Sequence, residues 1–127
     1  MIKTFYLDRD KLVTDEGLLI SLILGSGDIE VSARKAWDIG AYEHIATFTN
    51  FHTEDELESV WHASNSGNGS TMSWSLDPMY PEHTEIVSPF PTYKGETIGH
   101  RSMSVGDICE MENGDRYVVA SFGYKKI

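Results

Sequence analysis

Ile2 to Leu7 mixes β-branched and aromatic residues and predicts a strand, which the charged Asp8-Arg9-Asp10-Lys11 ends. Thr14 then reads as a helix cap, with Asp15 and Glu16 in the first turn and Gly25-Ser26-Gly27 as the stop. Apolar residues between Leu18 and Leu24 cover every side of that helix, which predicts burial. A buried strand fits the same run, because periodicity does not separate the two over so short a length. From Asp28 a second helix is predicted, its stripe formed by Ile29, Ala33, Ala36 and Trp37, with Gly40 just past its end. Tyr42 to Thr49 reads as another strand. Thr53-Glu54-Asp55-Glu56 has the form of a capping box, and Leu57, Val60 and Trp61 supply the inward stripe of a third helix.

Beyond Asn65 the pattern breaks. Asn65-Ser66-Gly67-Asn68-Gly69-Ser70 is a flexible polar segment, and all four prolines, Pro78, Pro81, Pro89 and Pro91, follow before Gly99. An irregular stretch over 65–99 is long for a compact domain and predicts either a binding loop or a mobile one. Trp74, Tyr80, Phe90 and Tyr93 are interspersed in it, which predicts that some of it packs back on the core. Over 100–127 a polar lead-in precedes a β-hairpin: Ile108 to Glu112 and Arg116 to Ser121 flank Asn113-Gly114, a dipeptide suited to the positive φ values of a type I′ turn. The sum is a single α+β domain over residues 1–127, about three helices packed on a small, mainly antiparallel sheet with a C-terminal β-hairpin.

Composition narrows the class. At 127 residues, with 40% apolar and 24% charged positions, the chain has the length and content of one globular domain. Ten Lys plus Arg against 20 Asp plus Glu give a formal charge of −10, which repels phosphates and anionic lipid, so direct nucleic-acid binding is not expected. The apolar run at Leu18 is far shorter than the roughly 20 residues of a membrane span, and Met1 to Leu7 lacks the apolar core of a signal peptide. A soluble, cytoplasmic protein is expected. The single Cys109 has no partner for an internal disulfide and reads as a small structural thiol.

Candidate chemistry is sparse. His44, His52, His62, His83 and His100 have neither an i, i+4 pair nor a short Cys/His box, so no metal or cofactor is expected. The acids Glu54, Asp55, Glu56 and Glu58 are accounted for by a helix's first turn. Ser102 and Ser104 lie near His100, but no strand-turn-helix elbow presents a nucleophile, and a turn-forming role is favoured. Gly25-Ser26-Gly27-Asp28 lacks the following Lys of a phosphate loop and reads as helix punctuation. No catalytic residue is assigned, and the balance favours a protein that is not an enzyme.

Arg101-Ser102-Met103-Ser104-Val105-Gly106-Asp107-Ile108, followed by the hairpin and Ser121-Phe122-Gly123-Tyr124, resembles the C-terminal signature of YodL-like proteins. These are small proteins, largely from phages and other mobile elements, with no common activity attached to them. The match covers the last 28 residues; Ser64-Asn65-Ser66 and Trp74 extend it weakly upstream, and the Gly67 to Ser70 insertion and the Pro-rich stretch depart from it. The resemblance implies a phage or mobile-element context and an α+β fold, and it supplies no catalytic residue. Local geometry accounts for most of the signature: Gly106-Asp107 turns the chain, Ser102 and Ser104 satisfy backbone groups, and Gly123 relieves crowding beside Phe122 and Tyr124. Arg101 is the residue that turn geometry does not require. It pairs bidentately with Asp107, or it recognises an anionic partner group.

The expected function is therefore that of a non-enzymatic, acidic phage accessory protein that binds and inhibits a host protein, in host takeover or anti-defence, within an infected bacterium. Two alternatives stand beside it. One is a small-molecule or nucleotide-binding protein, or a cryptic enzyme, with a pocket between the 65–99 loop and the Arg101 segment. Its binding set comprises Arg101, Ser102, Ser104 and Asp107, with Trp74 and Tyr93 as stacking residues. The other is a DNA mimic, whose acidic side chains would share one face at phosphate-like spacing.

Overall fold

The architecture follows from a strand, β1 (Ile2–Leu7), whose two faces are both apolar. In the computed structural model, which describes residues 1–25, 27–69 and 72–127, β1 lies inside a six-stranded sheet. Its other members are β2 (Tyr42–Phe48), β3 (Thr84–Ile86), β6 (Ile108–Met111), β7 (Arg116–Val119) and β8 (Tyr124–Lys126), in the order β3-β2-β1-β6-β7-β8. Every pairing is antiparallel. A separate two-stranded ribbon joins β4 (Thr92–Tyr93) to β5 (Glu96–Thr97). The chain is a single α+β unit with three helices, among the described residues: α1 (Glu16–Leu24), α2 (Ile29–Asp38) and α3 (Leu57–Ser66).

Because side chains alternate across a strand, the sheet carries a core on each face. Leu7 of β1, Ile108 of β6 and Val118 of β7 pack under α1 and α2 with Leu18, Leu22, Ile29, Ala33 and Ala36. Ile2 and Tyr6, Cys109 and Met111, and Val119 face the other way, under α3 and the segment around Trp74, with Phe48, Leu57 and Val60. At β2 a bulge interrupts the alternation: Thr4 pairs with Ala46 and Phe5 with His44, so Ile45 is passed over and joins Ala46 in the same core.

Several details differ from the sequence pattern. The cap of α1 is Asp15, whose carboxylate accepts from the Leu18 amide at 3.1 Å, and not Thr14. Nor is α1 buried on every side: Leu18 and Leu22 face the core, while Ile20 and Leu24 are 52% and 64% exposed. Gly25 ends it in the left-handed conformation; Ser26 of the expected stop and Ser70 of the polar segment lie outside the described residues. Asn65 and Ser66 continue α3 instead of leaving it, and the Asn65 amide donates to the Trp61 carbonyl one turn back. The 65–99 stretch also contributes β3, an edge of the main sheet. The β6–β7 turn is not type I′, since Gly114 has positive φ and Asn113 does not. Gly114 N–H donates to Met111 and Met111 N–H to Asp115, a type I turn with a glycine bulge. The positive-φ pair that marks a type I′ turn is Lys94-Gly95, in the β4–β5 ribbon. Finally, a third strand, β8, turns the expected C-terminal hairpin into a meander.

Candidate functional site

Asp107 closes the turn that starts at Ser104 and leads into β6, and it is fully buried. Its carboxylate accepts four N–H groups: Leu7 N at 2.9 Å and Ser104 N at 2.8 Å from the backbone, and Arg101 Nη1 and Nη2 at 2.7 and 2.9 Å. The bidentate pair proposed from sequence is therefore present. Arg101 also donates to the Ser102 carbonyl at 3.0 Å, and its guanidinium carbon lies 4.3 Å from the centroid of the Tyr6 ring. Burial pushes the Asp107 carboxyl above its ordinary value, against the pull of Arg101 and the two amides. For Arg101, burial acts downward, but the bonds to Asp107 carry it above the ordinary value. Burial, and then the Asp107 charge, also push the Tyr6 and Tyr42 phenols well up, so both stay protonated.

The rest of the signature converges on the same point. Tyr42 donates to the Gly106 carbonyl at 2.6 Å, and the Trp74 indole donates to the Arg101 carbonyl at 2.8 Å. Gly106 has a φ of 93°, and a Cβ there would lie 2.8 Å from the Leu22 carbonyl oxygen, so the signature glycine also lets the end of α1 approach. Gly123 has a φ of 74°, which calls for glycine, and nothing beyond its two chain neighbours lies close to it. Ser104 contributes chiefly its amide to Asp107, and Ser102 is exposed. The 101–107 segment thus ties β1, β2, α1 and the Trp74 segment together, four elements distant in sequence.

The stacking residues are placed elsewhere. Trp74 is 2% exposed, with its ring stacked on Phe48, and offers no face to a ligand. Tyr93 is 62% exposed on the β4–β5 ribbon, where Lys94 covers its ring. Neither lines the cleft of about 500 Å³ that opens beside Arg101 between Tyr6, Leu7, Arg9, Glu43, Pro91, Ile98 and His100. Acids share that cleft with the cations: Asp8, Asp10 and Glu43 stand near Arg9 and Arg101.

What the sequence left unseen is how the Pro-rich segment is mounted. The bulged Ile45 carbonyl accepts both Val87 N–H and Ser88 N–H, at 2.8 and 3.3 Å. Ser88 donates its hydroxyl to Glu43 at 2.6 Å, and its carbonyl meets His100 Nε2 at 3.1 Å. His100 in turn is held by the Ser75 hydroxyl, which accepts from its amide at 2.8 Å. Between these two buried anchors every residue from 89 to 98 is exposed, and the ribbon inside it is closed by Ile98 N–H to the Pro91 carbonyl at 3.0 Å. Phe90, Tyr93 and Ile98 are thus presented to solvent on an arm fixed at both ends. The histidines have separate structural surroundings, His44 stacking on Phe5 and His62 facing Glu58 across one turn. Among the described residues no three His, Cys, Asp or Glu side chains are grouped to hold a metal ion, and no helix is long and apolar enough to cross a membrane.

Comparisons with protein-family models, with curated protein sequences and with solved structures give no match to this chain.

Proposed function

We propose that the chain is a non-enzymatic, acidic accessory protein of a phage or mobile element that binds a host protein and inhibits it, in host takeover or anti-defence, in the cytoplasm of the infected bacterium. The observation that carries the binding role is the arm. Phe90, Tyr93 and Ile98 stand exposed on a ribbon whose two roots are buried and hydrogen-bonded, so docking costs little ordering of the backbone. Lys94 and Glu96 on the same ribbon give it one charge of each sign, so the exposed apolar side chains favour a partner with an apolar pocket. Affinity capture from host lysate at near-physiological salt tests it. A specific partner is expected with the unchanged chain and is lost with Phe90→Ser combined with Tyr93→Ser; recovery of no specific partner removes the reading.

A second reading rests on the cleft beside Arg101, where Arg9, Arg101 and His100 can meet an anionic small molecule. Nucleotides and cyclic dinucleotides at millimolar concentration should then raise the melting temperature. Absence of any shift sinks it. The DNA-mimic reading is less favoured, because exposed acids are distributed over α1, α2 and α3 and so over both layers that cover the sheet.

A further inference from the structure

Arg34, Trp37 and Asp38 of α2 line a cavity of about 310 Å³ with Arg116 of β7 and with Ile127. Small-molecule sites begin at about 300 Å³. Phe5 and Tyr42 pack on Trp37 with ring centroids at 4.9 and 5.8 Å, and the Arg116 guanidinium carbon lies 4.1 Å from the Trp37 ring centroid. Glu110 accepts from Arg116 Nε at 2.9 Å. Ring and carboxylate together hold the guanidinium in place, and its Nη pair meets no acceptor among the described residues. Arg34 and Asp38 are exposed and one turn apart on α2, yet neither side chain has a hydrogen bond or ion pair among the described residues. Two cationic groups and one carboxylate, none of them matched within the chain, therefore meet at one cavity.

We propose that this cavity binds a free α-amino acid with an apolar side chain. The carboxylate of the ligand meets the Nη pair of Arg116 and Arg34, its ammonium meets Asp38, and its side chain lies along Ile127. The charges select a zwitterion. Glu110 balances Arg116 and Asp38 balances Arg34, so the cavity is neutral overall while holding separated charges of both signs. A phosphate ester would face Asp38, Glu110 and a chain of net charge −10, whereas a zwitterion meets no net repulsion. The planar fork of Arg116 fits a carboxylate through parallel N–H bonds. Because Trp37 and Glu110 already fix that fork, little side-chain freedom is lost when the ligand arrives. The cavity shares no residue with the 89–98 arm or with the cleft beside Arg101, so it is independent of the partner binding proposed above.

Proton–nitrogen NMR spectra of the full chain read the Trp37 indole N–H and the Arg116 Nε–H directly, and titration with L-leucine, L-valine and L-methionine tests the proposal. At least one of the three should shift both signals with a dissociation constant of about 0.1–1 mM. Acetate and isoamylamine, which each carry one of the two charges, should bind at least about 10-fold more weakly. Arg34→Gln and Asp38→Asn alter exposed side chains without partners, so each should keep the circular-dichroism spectrum and weaken the amino acid by about 10-fold. Three results overturn the proposal: no shift with any of the three amino acids up to about 20 mM, acetate or inorganic phosphate bound as tightly as the amino acid, or binding unchanged in both variants.

Discussion

Asp107 and Arg101 form one ion pair, but their positions are unequal: the Asp107 side chain is 1% exposed and that of Arg101 39%. Removing the carboxylate strands the Leu7 and Ser104 amides as well as the guanidinium. Removing the guanidinium leaves a carboxylate that still holds two amides and can take up a proton. Asp107→Ala should therefore cost about 3–5 kcal/mol in urea unfolding and Arg101→Gln about 1–3 kcal/mol. The reverse order would mean that the pair is not anchored through Asp107. The result also separates structure from recognition, because an Arg101 variant that stays folded and retains its partner removes Arg101 from the binding surface. In the sequence this residue pair was legible from the odd presence of a guanidinium in a turn. Tyr6, Tyr42 and Trp74 were not, because nothing local relates positions 6, 42 and 74 to a turn at 101–107.

At the scale of the element, α1 shows how neighbouring polar residues divide the work of a helix start. Asp15 caps it through the Leu18 amide, while Thr14 is exposed one residue too early to do so. Asp15→Ala should lower stability by about 1 kcal/mol and Thr14→Ala should leave the unfolding midpoint where it is. Equal effects would argue against this cap. Both residues satisfy the sequence rule for a cap, and only the backbone geometry, with Asp15 outside helical φ and ψ, selects between them. The same limit applied to the turns. Asn113-Gly114 has type I′ chemistry but takes a type I turn with a bulge, because a three-residue connection fits the register that pairs Glu110 with Arg116.

Over the whole molecule, the two cores share β1, β6 and β7, so neither can open without disturbing strands that support the other. Unfolding should be a single cooperative transition. Cys109 is a built-in reporter: burial, and then the Asp107 charge, push its thiol up to about 12, and its strand is central. At pH 8 its labelling by a thiol reagent should be slow in the native protein and should follow the denaturant midpoint seen by circular dichroism. Labelling at the rate of a free thiol without denaturant would contradict a closed core.

Binary pattern was enough to determine β1, α2, β2 and the α+β class, since each depends on neighbours within one or two turns of chain, whereas the Thr53 capping box opens a 3-10 turn over Glu54–Glu56 ahead of α3. Tertiary structure decided that Ile20, Leu24 and Phe122 face water, that β3 and β8 edge the sheet, and that Ile45, Ser88 and His100 hold the arm. Those outcomes rest on contacts between residues far apart in sequence, where strand order and a single bulge determine which side chains meet, and local periodicity carries no record of either.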